Sequence, residues 1–92
     1  MNRIATIFVD QAPGSMRVEV DDNWSHVVAV TEAEMRENAL HVEATDAEAD
    51  NVHYRIEESV HDPDDDLVLE RRHTRDDDWD AVGPVTHVER AE

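Results

Sequence analysis

The chain has 92 residues and contains neither cysteine nor lysine. Without cysteine there is no disulfide framework, no thiolate metal site and no cysteine nucleophile. It has two glycines, Gly14 and Gly83, and no G-x-x-x-x-G-K-[ST] or G-x-G-x-x-G loop. Nucleotide-phosphate chemistry built on such loops is therefore not expected. No apolar run approaches the roughly 20 residues of a membrane-spanning helix. The first ten residues hold one Arg and a short apolar stretch that ends in an acid, which does not suit a secretory signal. Ser15, Ser25 and Ser59 are the only serines, and none lies in a nucleophile-elbow context. Aromatic residues are scarce: one Phe, one Tyr and two Trp. The length suits one domain, residues 1–92.

Acid dominates what is present. There are 24 Asp and Glu residues against 8 cations, for a formal net charge of -16. Every cation is Arg: Arg3, Arg17, Arg36, Arg55, Arg71, Arg72, Arg75 and Arg90. The acids are spread along the chain, with 9 in residues 1–46 and 15 in residues 47–92. Low aromatic content with high charge can mean disorder. Against that, 39% of the residues are hydrophobic, and they fall in alternating segments.

Abundant Asp and Glu with Arg in place of Lys resembles the cytosolic proteins of haloarchaea, which work in molar KCl. At 1 M salt the Debye length is about 3 Å, so repulsion between surface carboxylates is largely screened. Carboxylates on short side chains stay hydrated, whereas Lys would add a long apolar stem. The resemblance implies a cytoplasmic protein with concentrated KCl as its solvent. Acidity that imitates DNA or attracts a basic partner is the competing explanation.

The segments read mostly as short strands. Arg3–Asp10 places Ile4, Ile7, Phe8 and Val9 on both parities, as in a strand buried on two faces. Pro13-Gly14 suits a type II turn that would pair it with Met16–Val20 in a hairpin. Trp24–Thr31 is rich in β-branched residues. Thr31 followed by Glu34 is a capping-box signature, and the residues after it are helix formers. A short helix is expected there, near residues 32–39. Ala39–Thr45, Val52–Glu57, Leu67–Thr74 and Val85–Arg90 complete the strands, with a loop around Pro63. The expected fold is mainly β (α+β by strict count): a small antiparallel sandwich or barrel of about six to seven short strands with one short helix. The last strand could be a charged, protected edge, or a sheet edge could pair with a second copy.

Two acidic clusters invite a metal reading, since hard cations take many carboxylate oxygens. One is Asp62, Asp64, Asp65 and Asp66; the other is Asp76, Asp77, Asp78 and Asp80. Counting from Asp78, the second places Asp80 third, Gly83 sixth and Glu89 twelfth of a calcium loop, but Val82 cannot ligate at the fifth position. Such partial matches arise by chance in so acidic a chain. Asp76, Asp78 and Asp80 are thus metal candidates, with loose cation condensation the plainer reading. If Leu67–Thr74 is one strand, it spans roughly 26 Å and separates the clusters.

None of the six histidines has the spacing of helix-borne zinc ligands. By alternation His41 and His53 face solvent, His26 shares a face with Trp24 and Val28, and His87 shares one with Val85. Surface or hydrogen-bonded histidine is the default, and a His–carboxylate zinc site the alternative. Arg71, Arg72 and Arg75 form the one basic spot, a candidate for nucleic acid on a β-ribbon. Pairing of these arginines with neighbouring acids is the plainer account. Trp79, in an acidic loop, is the candidate anchor for a partner, because aromatic residues are enriched at hot spots. It can equally fold back to cap the barrel.

These features point to a non-catalytic interaction or regulatory module that binds a protein partner, or itself, through a sheet edge or apolar patch. No cofactor is expected. The alternatives are a nucleic-acid-associated regulator and a small metal-dependent hydrolase. Diluting KCl from molar to about 0.1 M should lower the thermal midpoint or unfold the chain, as its carboxylates repel one another. A melting curve indifferent to KCl would overturn the halophilic reading.

Overall fold

The computed structural model describes residues 2–21, 23–49, 51–60 and 66–91. Asn2 decides how the chain begins. Its Oδ1 accepts from the N–H groups of Ile4 and Ala5 at 2.9 and 3.2 Å. This N-cap satisfies donors that a helix start leaves open, and Arg3–Gln11 forms helix α1. Ile4, Ala5, Ile7 and Phe8 have helical spacing, and Ala5 and Phe8 are fully buried. The strand expected over residues 3–10, and its hairpin with 16–20, are therefore corrected. A short apolar run fits both periods, and here the cap and the helical spacing prevail.

Six strands follow: β1 (Gly14–Val20), β2 (Trp24–Arg36), β3 (Ala39–Asp46), β4 (Val52–Ser59), β5 (Val68–His73) and β6 (Asp80–Arg90). Each pairs antiparallel with the next, and β6 returns to β1 to close a barrel. The fold class is as expected: mostly β, an antiparallel barrel with one short helix. β6 pairs with β5 over Asp80–Pro84 and with β1 over Val85–Arg90, so the strand that ends the chain closes the barrel, and Val85–Arg90 itself is laddered on its β1 side.

The helix expected near residues 32–39 is strand. β2 continues to Arg36, and Glu37-Asn38 makes a two-residue turn into β3. Both turn residues are left-handed, with φ of 49° and 70°, the geometry that matches strand twist. Pairing slips at Thr31, from Val30↔Ala44 to Glu32↔Glu43. The Thr31 hydroxyl donates to Glu43 O at 3.0 Å. This bulge moves the inward positions from Val28 and Val30 to Ala33 and Met35, which oppose Val42 and Leu40. The broken alternation, with Glu, Ala and Met as good helix formers, imitates a capped helix.

β6 carries two further bulges, at Val82 and Thr86. The second sets Val85 and Val88 inward and turns His87 out, correcting the shared face expected for Val85 and His87. β2 outruns β1, which reaches only to Val30, and β4 outruns β5, which reaches only to Arg55. Among the described residues, 31–36 and 56–59 therefore pair on one side alone. Inside, Met16, Val18, Leu40, Val42 and Ile56 fill the barrel, and Phe8 belongs to the same core. α1 packs on β6 and β2.

Gly83 sits where β6 passes close to β1, at φ +144°. A Cβ there would stand 2.7 Å from Val20 Cγ1, and Val20 is itself buried. Gly83→Ala should cost about 2–4 kcal/mol from strained backbone and overpacking. The melting temperature should fall by about 10 °C or more. In a double-mutant cycle, adding Val20→Ala should cost less than it does alone. Additive losses would show that the close approach is not the cause.

Candidate functional site

The outer wall of β2–β5 carries most of the polar side chains that converge. Beyond the Thr31 bulge, Glu32 and Glu34 turn outward opposite Glu43 and His41 of β3. β4 adds Glu57 opposite His41, and Arg55 opposite Glu43. His41 Nδ1 lies 3.3 Å from Glu57 Oε1, and its Nε2 lies 3.6 Å from Glu43 Oε1. Each of Glu32, His41 and Glu43 offers a ligand atom, and the three atoms lie within 4.8 Å of one another. Glu32, Glu34, His41, Glu57 and Glu58 line a groove of about 460 Å3, where Arg36 is bound to Glu34 at 2.6 Å.

A second groove, of about 270 Å3, adjoins the first at Glu57. Its lining includes Thr45, His53, Arg55, Arg72 and Trp79. Trp79 lies against the wall, half-buried, with the guanidinium carbons of Arg55 and Arg72 at 4.4 and 5.2 Å from its ring. Such cation–π contacts contribute about 0.5–2 kcal/mol each, more as water is excluded. Arg55 Nε donates to Glu70 Oε1 at 3.1 Å and its Nη1 is 4.0 Å from Glu57. Arg72 Nη1 donates to the carbonyl of Asp76, pinning the loop that carries Trp79.

Strand alternation separates the basic residues. Arg72 pairs with His53 on the outer wall, whereas Arg71 pairs with Tyr54, an inward residue. Arg75 is exposed in the turn after β5. Asp76 and Asp78 are exposed in that same stretch, and Asp80 opens β6 opposite Arg71. Among the described residues, Asp76, Asp78 and Asp80 do not converge as Glu32, His41 and Glu43 do. His61, Asp62, Pro63, Asp64 and Asp65 lie outside the described residues. The carboxylates around His41 escaped the sequence reading, because helix was assigned to residues 32–39. The alternation that turns His41 outward also turns Glu43 outward, and that signal was legible.

A third cluster closes one mouth of the barrel. Asp46 Oδ2 accepts the Tyr54 hydroxyl at 3.0 Å, and Asp46 Oδ1 accepts the Glu48 N–H at 2.8 Å. His26 Nε2 lies 2.7 Å from Asp46 Oδ2, off-line for a hydrogen bond but within ion-pair distance. Trp24 packs beside His26 and Tyr54, with ring centroids 5.7 and 5.9 Å away. Burial pushes the Asp46 carboxyl up, but the Glu48 N–H, the Tyr54 hydroxyl and His26 together outweigh it and hold it below its ordinary value. For Tyr54, burial and then Asp46 push the hydroxyl up to about 12, against a smaller opposing pull from Arg71.

The signs differ for the two groups. The Asp46 contribution is present above its ordinary value of 3.8 and is lost as pH falls below it. The Tyr54 contribution is intact below pH 10 and is lost as pH rises toward about 12. Tyr54 is the only tyrosine, so tyrosinate absorbance reports it alone. In the folded protein that titration should have its midpoint near 12, against 10 in denaturant. Tyr54→Phe should lose about 1–2 kcal/mol at neutral pH and none of the additional stability lost between pH 10 and 12. A folded-state midpoint at 10 would contradict the part-buried bond to Asp46.

No helix among the described residues is long and apolar enough to cross a membrane. No curated protein and no solved structure matches the chain. A family model matches residues 1–92, and on that match the chain belongs to the family described as a domain of unknown function, DUF8072.

Proposed function

We propose that the protein is a non-catalytic interaction module of a KCl-rich cytoplasm, and that it docks a protein partner on the outer wall at Trp79. The observation that carries this reading is the packing of Trp79 against the guanidinium groups of Arg55 and Arg72 at the second groove. A half-buried indole held by two guanidinium groups has already lost much of its rotamer freedom. A partner then gains its contact area at a low entropic cost. Concentrated salt favours this kind of contact. It screens exposed charge pairs and strengthens apolar burial.

Two other elements are weaker supports. Val9 is the one large hydrophobic residue that is exposed among the described residues, so an extended apolar patch is not what offers the contact. The one-sided strand segments, residues 31–36 and 56–59, keep strand addition open as an accessory contact to a partner or a second copy. The nucleic-acid alternative rests on Arg71, Arg72 and Arg75; Arg71 and Arg72 take opposite faces of β5, and Arg75 lies in the turn after it.

The test is affinity capture in 2–3 M KCl, with the parent chain and Trp79→Ala as parallel baits. Direct titration of any protein held by the parent then measures the difference. An anchoring aromatic costs about 2 kcal/mol or more on truncation, which is roughly a 30-fold loss of affinity. Sedimentation in the same salt reads self-association, which Trp79→Ala should weaken if the partner is a second copy. Equal binding by both baits, or none by the parent, would refute the anchor.

A further inference from the structure

We propose that Glu32, His41 and Glu43 form a binding site for a first-row divalent transition metal ion, with Zn²⁺ the best match, and that Glu57 positions the histidine. The inference goes beyond partner docking and does not depend on Trp79.

The site begins with the Thr31 bulge. One extra residue turns Glu32 to the outer wall and sets it directly opposite Glu43 across the β2–β3 ladder. Like charges in directly opposed positions destabilise a sheet unless something neutralises them. The histidine two residues before Glu43 supplies a nitrogen beside these oxygens, and the three ligand atoms lie within 4.8 Å of one another. Metal–ligand bonds of about 2.0–2.2 Å in a tetrahedron set the ligands roughly 3.3–3.5 Å apart. The side chains therefore need to close by roughly one ångström. Glu43 is half exposed, so it has room to do so.

His41 lies between two carboxylates, one near each ring nitrogen. Glu57 Oε1 stands 3.3 Å from Nδ1, within ion-pair distance and near enough to take its proton after a small turn of the ring, and Glu43 Oε1 stands 3.6 Å from Nε2 on the other side. A carboxylate behind the non-ligating nitrogen is the usual support of a metal-binding histidine. Other histidines have different engagements. His53 Nε2 is bonded to the Thr74 hydroxyl, and His26 faces Asp46. Among the described residues, no other set of three such side chains closes to this distance.

The donor set also selects the ion. In molar KCl every surface carboxylate meets K⁺, so oxygen alone gives no discrimination. An imidazole nitrogen does, because Zn²⁺ and Co²⁺ accept it readily while Mg²⁺ and Ca²⁺ keep to oxygen.

The experiment titrates the full chain, first stripped with chelator, with ZnCl₂ in 2 M KCl at pH 7 by calorimetry. Co²⁺ in the same buffer reads coordination through its visible absorption. The expected result is one Zn²⁺ per chain, with 10 mM Mg²⁺ unable to displace it. His41→Ala and Glu43→Gln should each weaken binding at least tenfold and abolish the Co²⁺ band. Glu57→Gln should weaken binding by about 10–100-fold yet keep the band. His53→Ala should bind as the parent does. Circular dichroism checks folding of each variant, and His41→Gln replaces His41→Ala if the latter unfolds. Absence of stoichiometric binding by the parent, equal binding by all variants, or displacement by Mg²⁺ would each overturn the site.

Discussion

The seam between β1 and β6 gives this molecule its interior. An open six-stranded sheet of this composition would expose an apolar face and two edges. Pairing Met16–Val20 with Val85–Arg90 removes both edges at once and encloses Val18, Val20, Val85 and Val88. A small barrel demands strong local curvature, and bulges are how strands bend. The irregularities at Thr31, Val82 and Thr86 supply it. Gly83 follows from the same demand, because a side chain at that crossing would meet Val20. α1 packs on β2 and β6, and its Phe8 joins the core that the seam encloses.

Charge is arranged around this interior rather than within it. The outer wall alternates sign where it can, with Arg55 between Glu57 and Glu70, and Arg36 on Glu34. Exposed pairs of this kind contribute little each, and salt weakens them further. The exceptions are informative. Glu32 and Glu43 face each other across the ladder, with His41 close by and Arg55 opposite Glu43 on β4. Asp46 is drawn into the mouth of the barrel and bonded there. One is a local excess of negative charge at the surface, the other a half-buried acid with its partners in place.

Much of this was legible in the sequence, and the gaps share a cause. Strict alternation identified β1, β3, β4 and the start of β2, because a half-buried strand repeats every two residues. It failed where a bulge inserted a residue. At Thr31 the inward set passes from Val30 to Ala33, and the break imitates a helix. At Thr86 no local pattern marks the break, so alternation alone predicts the wrong face for His87. The opposite error fell on α1, whose apolar residues are too few to separate one period from the other. The outward direction of His41 was readable, but its meeting with Glu32 was not. That meeting depends on register, which local pattern does not encode. The neighbours of Trp79 were beyond reach for the same reason: Arg55 lies 24 positions away.

The placement of the two tryptophans has an optical consequence. Trp24 sits in the mouth beside His26 and Tyr54, while Trp79 lies on the wall against two guanidinium groups. With no other indole in the chain, the intrinsic fluorescence is the sum of two local signals from separate structural settings. One emitter reports the hydrogen-bonded mouth around Asp46, and the other the pinned acidic loop. Replacing either tryptophan by phenylalanine leaves a single-site spectrum. The protein thus carries two built-in reporters, one for each setting.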